Sequence, residues 1–548
     1  LALPDGQDAS DAGPLEAIAL YDQILAAYPN YEHNDRVLYQ KARAFDELGR
    51  PDEAIGVIEQ LIAVHPYSRH IDEVQFRRAE YFFTRRRYLD AEEAYAAIAK
   101  RGPVSDFYEL ALYKLGWTLY KQELHEEALD QYVALLDYKV STGYDFDQSA
   151  DEDASRRVTD TFRVVSLSFS NIGGAEAVQA YFAAKGQRPY EDRVYRHLGE
   201  FYFEKRRYQD AASAYEAFVG LHPHHRSAPY FGMRVVEIYE EGGFPQLVLA
   251  SKKDFAARYA LGAEYWQHFP IEEAADVVAW LKGNLRDLAT HYHAAYQDPE
   301  KADAAAESFD EAQRWYRTFL ASFAKDETAP GIHHRLADLL LEHEDFGDAA
   351  REYEHTAYDY PAHEQAAEAA YAAIYAHRQH QERASGDERD AVRQSAVTST
   401  LRFVDAFPKH EHAAVVLGAA VDDLYEMAKY DAAIANGRRL LEGWPDADAA
   451  TRRAAWLAIA HSAFGIDDYP QQAYARVLEM TAADGESRQA IVDNLAASIY
   501  KQGEAASAAD DHRTAADHFL RIAEVAPGSA IRPAAEFDAG AALIRLED

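Results

Sequence analysis

Cysteine is absent from this chain of 548 residues, which removes disulfides, thiolate metal sites and cysteine nucleophiles together. Every fold-stabilising contact is therefore noncovalent. Positive charge is also scarce: 56 Lys and Arg face 93 Asp and Glu, a formal net charge of −37. A phosphate backbone would meet repulsion instead of releasing counterions, so the composition excludes a nucleic-acid binder and disfavours adhesion to an anionic lipid surface. No apolar run approaches the roughly 18 to 20 residues of a membrane span. The opening Leu1 to Pro14 is polar and has neither an initiator Met nor the apolar stretch of a signal peptide, so the chain is expected to be a processed form or a fragment. Catalytic signatures are missing as well. The sequence holds no Gly-x-Ser-x-Gly elbow, no Gly-x-x-x-x-Gly-Lys phosphate loop, no Gly-x-Gly-x-x-Gly and no His-Glu-x-x-His.

What is present is ample apolar material: 48% hydrophobic residues and 12% aromatics, including 37 Tyr. The high charge therefore does not imply disorder. The dominant feature is self-similarity. Small residues recur at Ala17, Ala54, Ala91 and Ala128, spaced by 37 residues three times running, with Tyr four residues further on at Tyr21, Tyr95 and Tyr132. The device returns at Ala177, Ala211, Ala312, Ala349, Ala396, Ala433 and Ala515. Twelve residues beyond many of these stands a proline, as at Pro29, Pro66, Pro103, Pro223, Pro361, Pro408, Pro445 and Pro527. Twelve residues before them stands another small residue, as at Ala42, Ala79, Gly116, Gly199 and Ala337.

That spacing predicts a helical hairpin. A small residue in the first helix (A) lets the second (B) approach closely, a small residue in B answers it, and proline ends B because it cannot continue the hydrogen-bond ladder. Apolar residues at helical spacing between these marks, such as Tyr215, Phe218 and Val219 behind Ala211, make one buried stripe per helix. The A-to-B turns Arg85-Arg86-Arg87-Tyr88-Leu89-Asp90 and Lys205-Arg206-Arg207-Tyr208-Gln209-Asp210 put cations at the close of A and an acid at the opening of B, complementing both helix dipoles.

These residues resemble the tetratricopeptide repeat family. The match is carried by Leu112-Tyr113-Lys114-Leu115-Gly116-Trp117-Thr118-Leu119-Tyr120-Lys121-Gln122 with Glu127-Ala128 and Tyr132, and again by Tyr195 through Pro223. About a dozen degenerate copies in near register cover nearly the whole chain. The resemblance implies an all-α, right-handed superhelical solenoid of antiparallel helix pairs. The closings Tyr28-Pro29, His65-Pro66-Tyr67-Ser68, His222-Pro223, Tyr360-Pro361 and Phe407-Pro408, with the 37-residue period, look most like bacterial envelope members of the BamD and TolA-binding protein type. A periplasmic or cell-surface location is the expectation that follows.

Breaks in register suggest subarrays at 1–140, 157–260, 265–365 and 366–548, with an acidic insertion loop at 141–156. Pro270 to Tyr296 and Asp303 to Ala324 read as two elongated amphipathic helices. In the acidic loop, Asp145, Asp147, Asp151 and Asp153 alternate as in a calcium loop. Ala150 stands where the invariant glycine belongs and Arg156 where the bidentate Glu belongs, so the segment reads as a solvated insertion. The His groups His222, His224 and His225, His291 with His293, His333 with His334, and His410 with His412 read as surface or capping residues, since sequence neighbours on a helix point apart. No cofactor and no metal site is expected.

A binding surface remains. In the family the concave groove is lined by A helices, and the equivalent positions here are Tyr39, Arg43, Phe76, Phe83, Tyr113, Trp117, Tyr120, Arg196, Phe203 and His334. Aromatics and Arg carry most of the energy at protein interfaces. A carboxylate clamp for chaperone C-termini would need Lys and Asn where Tyr39, Arg43, Phe76 and Glu80 stand, which disfavours a cochaperone. The expected function is a noncatalytic scaffold whose aromatic, acidic groove takes a basic segment of a protein partner. The alternative is end-to-end self-assembly into a filament through an uncapped last helix, where Phe537, Ala541, Leu543 and Ile544 would leave an apolar stripe open. An accessory subunit of an export or polysaccharide machinery is a lesser alternative.

Overall fold

The computed structural model describes residues 12–546 apart from 149–150, 470 and 482–486. Among these residues it holds 26 α-helices, a few short 3-10 turns and no strand. Packing divides the chain into two units, 1–284 and 285–548.

The first unit carries α1 (Ala12–Ala27), α2 (Asn34–Glu47), α3 (Pro51–Val64), α4 (Ile71–Thr84), α5 (Tyr88–Ala99), α6 (Tyr108–Lys121) and α7 (His125–Ser141). It continues with α8 (Glu152–Ile172), α9 (Ala175–Lys185), α10 (Glu191–Glu204), α11 (Tyr208–Leu221), α12 (Ala228–Gly242) and α13 (Pro245–Tyr259). Helix α14 (Ala275–Gln297) crosses the 284/285 boundary. The second unit carries α15 (Ala305–Ser322), α16 (Ala329–Glu342), α17 (Phe346–Tyr358), α18 (Ala366–Arg383), α19 (Asp387–Ala406) and α20 (Ala413–Glu426). It ends with α21 (Tyr430–Gly443), α22 (Ala449–Gly465), α23 (Gln471–Glu479), α24 (Arg488–Ala508), α25 (His512–Val525) and α26 (Arg532–Arg545).

Sequential neighbours pack as hairpins, α2 on α3, α4 on α5, α6 on α7, α10 on α11, α16 on α17 and α24 on α25. In the first unit α6, α8 and α10 also touch in succession, as do α9 and α11, so A helices form one layer and B helices the other. The marker residues explain the closeness. A Cβ added to Gly116 would fall 2.5 Å from the Tyr132 ring, one on Gly199 2.5 Å from Tyr215, and one on Gly503 2.5 Å from Phe519. Ala42, Ala79 and Ala337 fill the same place and are fully buried.

The A-to-B turns share one backbone device. Gly49, Arg86, Glu123, Arg206, Gly243, Glu344 and Ala428 occupy equivalent turn positions with φ between 55° and 73°. In each, the following N–H donates five residues back, as Arg87 to Phe82 at 2.9 Å, Arg207 to Tyr202 at 2.9 Å and Lys429 to Leu424 at 2.9 Å. This closes the end of helix A without glycine in five of the seven turns.

Two interruptions differ from expectation. The hairpin α12–α13 lacks its mark because Val248 stands 37 residues after Ala211; Gly232 faces Phe255 and Tyr259, where an added Cβ would meet them at 3.4 and 3.5 Å, an ordinary contact distance. The acidic insertion is shorter than 141–156, because α7 runs to Ser141 and α8 starts at Glu152. Asp151 caps α8 by accepting from the N–H groups of Asp153 and Ala154, both at 3.0 Å, Asp145 closes an Asx turn on Asp147, and Asp147 pairs with Arg193 at 2.7 Å. Ala150 lies outside the described residues.

Candidate protein-binding surface

The A-helix layer carries most of the expected binding residues, and the structure sorts them. Tyr39 is buried at 8% exposure, stacks on His70 at 4.1 Å and donates to Glu73 at 2.8 Å, so it is a packing residue. Arg43 and Arg196 are exposed; Arg196 lies 5.6 Å over the Phe231 ring. Phe76, Phe83, Tyr113, Trp117, Tyr120 and Phe203 are half-buried, each with one side in the core and one toward the open face. His334 belongs to the second unit, where it sits edge-on to Tyr353 at 5.3 Å and 3.7 Å from Asp338.

The half-buried aromatics are built into a recurring triad. Glu80 accepts the hydroxyl of Tyr95 from helix B of its own hairpin and pairs with Lys114 from the next A helix at 2.9 Å, and Lys114 lies 5.9 Å over Phe83. Glu200 repeats this: it accepts from the Tyr215 hydroxyl at 2.6 Å and from Arg234 at 2.8 and 3.0 Å, and Arg234 lies 4.5 Å over Phe203. Burial pushes the Glu200 carboxyl up, but the hydrogen bonds from Arg234 and Tyr215 outweigh it and hold the group below its ordinary range. A third version covers Trp117, with Arg163 5.5 Å over the indole and Arg163 held by Asp160 at 2.7 Å. Asp160 also accepts the Tyr113 hydroxyl, and burial with that contact pushes Tyr113 up to about 12. Each aromatic is thus fixed by a cation from the following A helix, and each cation by an acid.

Residue types at single positions did not reveal Glu80, Lys114, Glu200 and Arg234 as members of this surface. Their register does carry the signal: acid, aromatic three residues on and cation 34 residues on occur identically in both places.

Charge divides unevenly between the two layers of helices. Along the A helices α2, α4, α6, α8, α10 and α12, seventeen acids meet thirteen Lys and Arg. Along the B helices α1, α3, α5, α7, α9 and α11, fifteen acids meet only two. The A face is nearly balanced because A helices bind one another through ion pairs, Lys114 with Glu80, Arg157 with Glu109 at 2.9 Å and Arg234 with Glu200. The acids of the B helices take their cations mostly from the turns and the A helices, as Asp52 with Arg85 at 2.9 Å, Glu93 with Arg78 at 3.2 Å and Asp137 with Arg188 at 2.9 Å.

A separate cleft of about 360 Å³ lies among α11, α12 and α13, lined by Val219, Val235, Leu247 and Phe255 with Glu216 and Tyr259. Burial pushes the Glu216 carboxyl up. The expected apolar stripe on α26 is split: Phe537 and Ile544 are 77% exposed and Ala541 is exposed on the same face, whereas Leu543 turns inward against the core. Most of the grouped histidines go to separate neighbours, and His410 and His412 share one. His222 faces Glu191 at 3.4 Å, His293 faces Tyr316 at 3.0 Å, His333 faces Glu352 at 2.5 Å, and His410 and His412 stack with Tyr371.

A family model described as tetratricopeptide repeat matches residues 39–106 and 76–141, the stretch of chain that holds the hairpins from α2 to α7. A search of curated proteins finds no match. Among solved structures, the chain is similar to the one titled "Crystal structure of APC/C hetero-tetramer Cut9-Hcn1". Identity is 11%, coverage 96% of this chain and 93% of that chain, and TM-score 0.20. No helix among the described residues is long and apolar enough to cross a membrane.

Proposed function

We propose that this chain is a noncatalytic scaffold that holds an extended or helical segment of a protein partner on the A-helix face of its first unit, in the bacterial cell envelope. The observation that carries the reading is the row of half-buried aromatics Phe83, Trp117 and Phe203, each fixed from behind by packing and from the side by a cation. Such rigid aromatic anchors are the residues that make interface hot spots, because little side-chain freedom remains to be lost on binding. The surplus of acids on the B helices gives the unit a negative field that attracts a basic partner, while the nearly neutral A face makes the contact. Electrostatics then governs the association rate more than the final affinity. The envelope location rests on the aromatic-Pro closings, the 37-residue period and the lack of cysteine.

Peptide-display selection on the intact chain, with the double variant Trp117→Ala/Phe203→Ala in parallel, tests the binding face. Enrichment of Lys- and Arg-bearing peptides on the native chain only is expected; equal enrichment on both removes the face, and absence of enrichment removes the function. For a selected peptide, the association rate should fall at least tenfold between about 50 and 500 mM salt, where screening shortens to a few ångströms. Fractionation of the source cells tests the location.

The exposed Phe537, Ala541 and Ile544 favour a second reading, self-association through α26. Light scattering should then show concentration-dependent growth that Phe537→Glu/Ile544→Glu abolishes. A monomer at every concentration removes this reading.

A further inference from the structure

The histidine-rich loop between α11 and α12 presents three imidazoles, and the fold sends them in different directions. His222 turns to Glu191 at 3.4 Å, and His225 packs edge-on against Phe218 at 5.1 Å. His224 faces the other way, toward the 3-10 turn Glu264–Gln267 that follows α13, where the hairpin pattern is interrupted.

That turn is held firmly. Tyr265 is 4% exposed and packs edge-on against Tyr259 at 5.2 Å, while the Trp266 indole N–H donates to the Tyr259 carbonyl at 3.1 Å. With residue 265 fixed inward, Glu264 and His268, four residues apart, are left together at the surface. His268 stacks on His224 with centroids 4.4 Å apart, and Glu264 Oε1 lies 3.9 Å from His224 Nε2. One ligand atom from each of the three residues lies within 4.8 Å of the others.

We infer that His224, Glu264 and His268 form a binding site for a divalent transition-metal ion of the zinc type. Two imidazole nitrogens and one carboxylate are a donor set that zinc accepts, with water in the remaining position. Tetrahedral bonds of about 2.0–2.1 Å place donors about 3.4 Å apart, so the side chains need to close by little more than 1 Å. The rings are on the surface and free to rotate that far, and the backbone turns that carry them are already in place. The net charge of −37 concentrates divalent cations around the chain. The ion would tie the α11–α12 loop to the 264–268 turn, and because it binds only the folded arrangement it would stabilise that corner of the first unit. A sequence reading sees only His222, His224 and His225 as neighbours and misses the site, since two of its three ligands lie about 40 residues further on.

Zinc titration of the intact chain, followed by calorimetry, tests the site against the variants His224→Ala/His268→Ala, Glu264→Gln and, as a control for other histidines, His410→Ala/His412→Ala. The native chain and the control should bind one more tight equivalent than His224→Ala/His268→Ala, and Glu264→Gln should weaken that equivalent at least tenfold. Zinc should also slow amide exchange in 222–228 and 260–270 in the native chain but not in the double variant. Circular dichroism establishes that the variants are folded, as substitutions at these surface positions should be. Equal stoichiometry and affinity in the native chain and the double variant, or exchange in these segments that is indifferent to zinc, would overturn the inference.

Discussion

Trp117 stands in the register position that Glu80 and Glu200 hold in two other hairpins, and the buried Tyr132 hydroxyl consequently has no hydrogen-bond partner. In those hairpins the helix-B tyrosines Tyr95 and Tyr215 donate to the acid. Around Tyr132 the ring still packs against Gly116 as the pattern demands, but the acceptor has been exchanged for an indole. A residue that leaves a neighbour's hydroxyl unsatisfied and shows part of its own surface has given up stability at that point. We read this as the mark of a side chain kept for a partner, by the rule that local violations gather at functional sites.

The exchange predicts opposite outcomes for the same substitution. Tyr132→Phe deletes a hydroxyl that makes no bond, so stability should be unchanged or rise by about 1 kcal/mol, whereas Tyr215→Phe breaks a bond to a carboxylate and should lower it by about 1–2 kcal/mol. Urea denaturation of the two variants side by side checks this. A loss of equal size in both would show that Tyr132 has a partner after all.

Close helix approach gives a second contrast. Gly199→Ala drives a Cβ to 2.5 Å from the Tyr215 ring, whereas Gly56→Ala in α3 meets nothing within 4 Å. Overpacking should cost about 1–3 kcal/mol at Gly199, while at Gly56 the better helix former should contribute about 0.5–1 kcal/mol. Thermal melts of both variants decide it, and equal signs would mean that closeness is not what selects glycine at 199.

Much of this was legible in the sequence. Ala54, Ala91 and Ala128 located their hairpins because small residues are forced by interhelical distance, a constraint expressed at single positions. The hairpin α12–α13 was not legible, since Val248 stands where the mark should be. The exposure of the A-helix aromatics was half legible. Trp117 was visible as a large aromatic on a helix already supplied with Leu112, Leu115 and Leu119, but Tyr39 looked identical in type and turned out buried. What separates them is the third dimension: His70 and Glu73 arrive from the next A helix to cover Tyr39, and no residue-type rule anticipates that. The uneven division of charge between the layers was not legible either, since total charge does not say which layer of helices carries it.

The shared turn geometry yields a third prediction. Ala428 holds φ of 55° with an exposed methyl group, a conformation that disfavours a Cβ. Ala428→Gly removes that strain at some entropic expense and should raise stability by about 0.5–1 kcal/mol. Gly243→Ala, at an equivalent turn with φ of 73°, should lower it by a similar amount. Chemical denaturation measures both, and matching signs would count against the turn argument.

His197 supplies a pH dependence. It lies in α10, stacked on Phe162 of α8 with centroids 4.8 Å apart and ring planes within 7°. Burial pushes its pKa down to about 4; Arg196 and Arg193 add to the effect and Glu200 opposes it. The unfolded chain titrates this imidazole near its ordinary 6.5, so between about 6.5 and 4 the unfolded state takes up a proton that the folded state does not. The stability concerned is fully present above pH 6.5 and is lost as pH falls toward 4. At 1.36 kcal/mol per pH unit the loss should reach about 2 kcal/mol at pH 5. His197→Phe keeps the stacked ring and has no proton to gain, so its stability between pH 7 and 5 should fall by about 2 kcal/mol less than that of the native chain. Urea midpoints measured at pH 7, 6 and 5 on both proteins would show this, and parallel curves would mean that the imidazole is protonated in the folded state and that the stacked site is open to solvent.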